Sequence, residues 1–242
     1  LAAVVALLAF VSAALAAADE RCSVPEWLME PQASLPNTTL EVKRRQRLDV
    51  VVLSGSPSQT GAPKGLRAYP SFFEAALRER LPGVEIRVNV RAAPRRSVIE
   101  MRPDLLTLLT DLRPALVVWQ AGTVEAYRGI DADGFGRALE AGVSEAMTAG
   151  ADVVLVDMQY SPRTSVLVDV APYLENMRRV AETMDIPLFN RYEIMRHWSE
   201  TGVFDLSSLK NNGLFEKIHL CVGRLLADFV LRGASLTNFK GQ

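Results

Sequence analysis

From residue 48 onward, short continuous apolar runs alternate with longer stretches whose apolar positions recur every three or four residues. Leu48 to Leu53 is a β-branched run closed by Ser54-Gly55-Ser56-Pro57, the pattern of a buried strand ending in a tight loop. Pro70 to Leu81 predicts a helix, with Pro70 in its first turn and Pro82-Gly83 stopping it. Val84 to Val90 alternates as a strand. Ser97 to Leu112 is helical in pattern, with Pro103 implying a break or a restart. Ala115 to Gln120, Ala151 to Met158 and Ile186 to Asn190 predict three further strands. Between and after them the helical pattern returns over Asp131 to Ala149 (with Gly150 as its cap), Pro172 to Met184 and Arg191 to Trp198. It returns once more over Leu214 to Leu231, where residues 215, 218, 222, 225, 226 and 229 are apolar.

Strand and helix thus alternate about five times. Strands this continuously apolar need cover on both faces, which is the condition of a parallel sheet between two helix layers. The expected fold is α/β: a three-layer α/β/α domain with a mainly parallel five-stranded sheet in a flavodoxin-like layout, spanning residues 48–232, with a tail at 233–242. Ligands on such sheets sit beyond the carboxyl ends of the strands. That directs attention to loops 54–62, 91–96, 120–129 and 158–170.

The segment before the domain differs. Residues 1–18, LAAVVALLAFVSAALAAA, carry no charge, and Ala14-Leu15-Ala16 has the spacing of a signal-peptidase site. At about 1.5 Å per residue the segment nearly spans a hydrocarbon core of roughly 30 Å. Export signal or retained membrane anchor, either reading places the domain outside the cytoplasm, in the periplasm or an equivalent space. Residues 19–47 hold Pro25, Pro31 and Pro36 and read as an extended arm with one helical turn around Trp27-Leu28-Met29.

Composition narrows the chemistry. Of the 242 residues 49% are apolar, enough for a full core, and 27 basic side chains face 28 acidic ones. No nucleic-acid partner is expected, because that would need a concentrated basic face. The short run from Lys43 to Arg47 reads as a solvated linker or a contact for a phosphate or lipid headgroup. Cys22 and Cys221 either pair in an oxidising compartment, tying the arm to the last helix, or remain a free thiol and a small buried apolar group. Two cysteines and two histidines far apart in the chain make no structural zinc site, and no GxGxxG or GxxxxGKS run is present. No metal and no cofactor is expected.

Three segments carry a family resemblance. They are Leu53-Ser54-Gly55-Ser56-Pro57-Ser58-Gln59-Thr60-Gly61, the strand and loop from Pro114 through Trp119-Gln120-Ala121-Gly122-Thr123-Val124-Glu125 to Ala126, and the run from Gly150 to Pro162. In order and in strand context they resemble the SGNH (GDSL-type) hydrolases over roughly residues 48–232. The resemblance implies an esterase scaffold on which a serine of the first block attacks an ester carbonyl. Backbone amides of the first two blocks and an asparagine of the third would hold the oxyanion, with an Asp-x-x-His pair near the C-terminus as base. It also implies that this chain departs from the pattern at each point. Anchoring on Gly55 and Gly61 puts Pro57 at the nucleophile, with neither hydroxyl nor backbone N–H. Ala92 stands where the second block offers glycine, Val124 replaces the asparagine, and Lys210 lies in the loop that should hold the acid and base. Glu125 keeps a carboxylate in the third block.

Several side chains remain as candidates. Ser56 and Ser58 flank Pro57 and could serve as displaced nucleophiles. Glu216 and His219 have acid-x-x-His spacing, though inside the last helix, where His219 also reads as a packing or capping residue; His197 reads as surface. Gly122, Glu125, Asp157 and Arg163 are possible ligand contacts. Asp157, at the end of a buried strand, suits a ligand or a structural pair with Arg163 or Arg191. Arg91, Arg95 and Arg96 crowd one loop and read as solvated or as receivers of an anionic group. The leading expectation is an exported domain that has lost ester hydrolysis and binds a protein partner in a membrane assembly, or a glycan or acyl-ester ligand. The alternative is an active esterase using Ser56 or Ser58.

Overall fold

The computed structural model describes residues 22–55, 65–207 and 212–239. Ser56, Pro57, Ser58 and Lys210 lie outside the described residues, as does the apolar segment 1–18. Five strands, β1 (Arg47–Ser54), β2 (Glu85–Ala92), β3 (Leu116–Gln120), β4 (Asp152–Val156) and β5 (Leu188–Phe189), form one sheet in the order β2-β1-β3-β4-β5. Every neighbouring pair is parallel, with Val51 opposite Val117 and Val118 opposite Val154. The expected three-layer α/β/α architecture is the observed one.

Period-two alternation builds the two cores. Leu48, Val50 and Val52 of β1, with Leu116, Val118, Val154, Val156 and Phe189, face one helix layer. That layer consists of α1 (Pro36–Arg45), α2 (Tyr69–Arg80), α8 (Arg191–Glu200) and α9 (Asn212–Gly233). Val51, Leu53, Val117, Trp119, Val153 and Leu155 face the other, made of α3 (Val98–Leu112), α5 (Ala132–Thr148) and α7 (Ala171–Met184). Two six-residue helices, α4 (Thr123–Arg128) and α6 (Pro162–Leu167), lie in the loops after β3 and β4. The sheet edge at β2 is protected differently: Glu85, Arg87, Asn89 and Arg91 are exposed, and charged side chains on an edge disfavour pairing with another chain.

Two features depart from the sequence pattern. α3 runs through Pro103 without a break. Proline there removes the donor for the carbonyl of Ile99, but Ile99 is exposed and its carbonyl can turn to water. The arm is folded rather than extended. Its one turn of 3-10 helix, Glu26–Met29, stands where the sequence placed it, but α1 follows, and Cys22, Leu28, Met29, Leu35 and Val42 are buried in the main core. Asp152, at the start of β4, accepts hydrogen bonds from the N–H groups of Asn37 (3.2 Å) and Thr38 (2.7 Å). This carboxylate caps α1 from across the sequence, satisfying amides that Leu35 at the cap position cannot reach. Lys43, Arg44 and Arg45 occupy the exposed last turn of α1, where cations suit the helix dipole.

A disulfide joins Cys22 to Cys221 of α9 across 199 residues. The arm therefore belongs to the core covalently as well as by packing. A cross-link closing so long a loop restricts the unfolded chain strongly, so the Cys22→Ser/Cys221→Ser double variant is expected to lose about 2–5 kcal/mol of stability. Urea denaturation with and without reductant checks this: the wild type should shift towards the double variant on reduction, and the double variant should not respond.

Candidate functional site

The carboxyl ends of β1, β3, β4 and β5 meet the loops that the sequence singled out. At the end of β1, Gly55 lies so close to the loop after β2 that a Cβ would sit 2.0 Å from the carbonyl oxygen of Arg96, so only glycine fits. That loop closes on itself and on β1. Ala93 N–H donates to the carbonyl of Ser54, Arg95 N–H to that of Gly55, and Arg96 N–H to that of Ala93. Pro94 has no N–H. The loop after Ala92 thus turns none of these amides towards a ligand. Two of the three arginines crowded here are engaged too, since Arg91 and Arg96 both pair with Asp104.

The end of β3 is fixed by Glu125. Its buried carboxylate accepts from the N–H of Val98 (2.6 Å) and of Gly122 (3.1 Å), joining the start of α3 to the loop before α4. Burial raises its pKa, and the two amides oppose that rise. Val124 is buried beside it. Between Gly55, Arg96, Trp119, Thr123 and Val124 lies a cavity of only about 10 Å³. Trp119 Nε1 and Thr123 Oγ1 are buried without a hydrogen-bond partner among the described residues.

His219 is buried in α9, and its Nδ1 accepts the backbone N–H of Tyr69 at 3.0 Å. Tyr69 is the first residue of α2, so the imidazole satisfies an amide that the helix itself cannot. A glycine-dependent contact makes this possible: at Gly223 a Cβ would lie 2.7 Å from the carbonyl oxygen of Tyr69, so its absence lets α9 press against α2. Accepting at Nδ1 fixes the neutral ring with its proton on Nε2. Burial, with the nearby Arg191 charge adding to it, lowers the His219 pKa to about 3. Glu216 does not meet His219; it sits partly exposed one turn earlier and pairs with Arg67 at 3.4 Å.

The third group lies beyond β4 and β5. Asp157 forms no ion pair with Arg163 or Arg191 among the described residues. Its Oδ1 accepts the N–H of Tyr192 at 2.8 Å in the first turn of α8, and burial pushes its pKa up to about 8. Arg163 is exposed on α6. Arg191 is fully buried, with its Nη2 on Gln159 Oε1 at 3.3 Å and its guanidinium carbon 5.5 Å from the centre of the Tyr69 ring. Tyr69 and Gln159 were not among the sequence candidates, and nothing in periodicity marks them. Of the candidates, the structure assembles Gly122 with Glu125 and sets Asp157 near Arg191, but it keeps Glu216 and Arg163 at the surface. Among the described residues no group of three His, Cys, Asp or Glu side chains could hold a metal ion.

Replacing Glu125 with alanine strands two buried amides and is expected to cost about 2–4 kcal/mol, read by chemical denaturation. The pH dependence has two limbs. His219 stays neutral in the fold down to about pH 3, whereas the unfolded chain takes up a proton below about 6.5, so its contribution is lost as pH falls through that window. Asp157 stays protonated in the fold up to about 8 and ionises near 3.9 when unfolded, so stability declines as pH rises between those values. His219→Asn is expected to flatten the acid limb and Asp157→Asn the alkaline one, measured as unfolding free energy against pH.

No curated protein matches the sequence. Among solved structures, TesA superposes with a TM-score of 0.59 at 19% identity, over 75% of this chain and 99% of TesA. A catalytic mutant of Axe2, an acetylxylan esterase from Geobacillus stearothermophilus, gives 0.60 at 14% identity, over 77% of this chain and 94% of its own. LAE5, an alpha/beta hydrolase enzyme from the metagenome of Lake Arreo, gives 0.59 at 16%, over 79% and 96%. At such identities the likeness is one of fold alone. The model of the Non-GDSL lipase-like family matches residues 21–236. The chain, arm included, belongs to the Non-GDSL lipase-like family.

Proposed function

We propose that this domain binds rather than hydrolyses, on a scaffold inherited from esterases. The observation that carries this is the hydrogen bond from Tyr69 N–H to His219 Nδ1. A general base needs an imidazole lone pair within reach of the nucleophile's proton. Here one nitrogen's lone pair is occupied and the other nitrogen carries the proton, while burial resists forming the imidazolium. Three further facts support the reading. The amides of Ala93, Arg95, Arg96 and Gly122 are all consumed within the fold. Val124 offers no donor. The cavity between Gly55 and the Glu125 loop, at about 10 Å³, is of the size of a single water rather than an acyl group. Loss of one oxyanion donor alone costs a serine hydrolase about 2.7–4 kcal/mol in its transition state.

The domain would then serve as an accessory subunit, holding a protein partner in a membrane assembly or a glycan or acyl ligand. The disulfide supports an extracytoplasmic place, since such bonds persist in oxidising compartments. Attachment through residues 1–18 is part of the same proposal. Treatment of the folded protein with a fluorophosphonate probe should give no covalent label. Labelling that disappears in Ser56→Ala or in Ser58→Ala would establish the active-esterase alternative instead.

A further inference from the structure

Arg191 presents an imbalance that neither the fold nor the hydrolase ancestry explains. Its side chain is fully buried, and its Nε and Nη1 have no hydrogen-bond partner among the described residues. Only Nη2 is engaged, on Gln159. A guanidinium keeps its charge at any ordinary pH, and a buried charge without a counter-ion is among the costliest arrangements in a core. The neighbouring Asp157 makes no ion pair with it among the described residues. Asp157 Oδ1 is taken by Tyr192 N–H, and burial, which raises the acid's pKa, weakens the attraction that the two groups exert on each other. Tyr69 offers Arg191 a ring face, and His219 faces the same region with a protonated Nε2.

Position adds to the chemistry. Arg191 is the first residue of the ten-residue α8, two residues beyond β5, and Gln159 stands three residues beyond β4. Both therefore lie at the carboxyl ends of adjacent parallel strands, where this class of sheet receives ligands. Gln159 is partly exposed, so the cluster adjoins the surface on that side.

We propose that Arg191 and Gln159 form an anion site beyond β4 and β5 that takes a carboxylate or phosphate group of a ligand, with the free N–H groups of Arg191 as its principal donors. The site deepens the binding reading above and rests on it, by giving the ligand a chemical class: an anionic group rather than a neutral ester.

The test uses the purified full chain at pH 7. Its melting temperature is followed against sodium acetate and against sodium phosphate, with sodium chloride at matched ionic strength as control. A saturable rise with acetate, phosphate or both, absent in chloride, is expected; acetate alone assigns a carboxylate and phosphate alone a phosphate ester. Arg191→Met should weaken the response by about tenfold or more in apparent dissociation constant, because charge-assisted hydrogen bonds to the anion are lost. Gln159→Leu, which leaves the charge in place, should weaken it less. A wild type that responds no more to acetate or phosphate than to chloride overturns the proposal, as does an unchanged constant in Arg191→Met. Should Arg191→Met fail to fold, the wild-type titration and Gln159→Leu decide, an unchanged constant in the latter counting against the site. Fluorophosphonate labelling would remove the binding-only reading and leave this result standing. A flat anion titration would remove the site alone.

Discussion

β1, β3 and β4 bury their central residues completely, so each strand must send alternate side chains into two separate helix layers. That requirement fixes almost everything else. It demands crossover helices on both faces, and so a parallel sheet. A parallel sheet in turn brings all strand carboxyl ends, with their loops, to one edge. It also makes the packing of α9 against α2 on one face decisive for that edge. The contact at Gly223 allows the two helices to touch, and the touch places His219 against the first amide of α2.

The strand ends show a consistent pattern in how polar groups are used. In a working acyl-transfer site, amides are left unused until charge develops on the substrate. Here the comparable amides already have acceptors. Ala93, Arg95 and Arg96 bond to backbone carbonyls, Gly122 bonds to Glu125, and Tyr69 bonds to His219. The carboxylates behave alike: Glu125, Asp152 and Asp157 each receive the opening amides of a helix or the loop before it, far from their own position in sequence. Each of these groups helps to hold the scaffold together. Arg191 departs from this pattern, as Trp119 Nε1 and Thr123 Oγ1 do, with donors that have no partner among the described residues.

Much of the fold was legible in the sequence because its determinants are local. Runs such as Val50-Val51-Val52-Leu53 and Val153-Val154-Leu155-Val156 announce buried strands through β-branching and length alone, and the helix over residues 70–81 announces itself by its flanking prolines. What was missed depends on distant partners. α1 was hidden by Pro36 and by a polar composition, and it is held by Asp152 more than a hundred residues away. α4 and α6 are too short for a periodic signal. Pro103 looked like a breaker because sequence does not tell which face of α3 meets water. The same limit applies at the site. His219 was visible as a candidate with two readings, and only the approach of Tyr69 shows which nitrogen is occupied. Asp157 was expected to meet either a ligand or an arginine, and its Oδ1 accepts the helix amide of Tyr192. Arg191 was visible only as a possible partner of Asp157, and no pattern rule marks it as fully buried; that emerged from the packing around it.

The covalent link between Cys22 and α9 has a mechanical meaning. Any segment that precedes residue 22 leaves the domain from a point stapled to a helix spanning the back of the sheet, not from the end of a slack leash. A pull on that segment would be carried into the centre of the molecule before any strand could peel away. The bond thus makes α9, and not a strand edge, the element that meets such a load first.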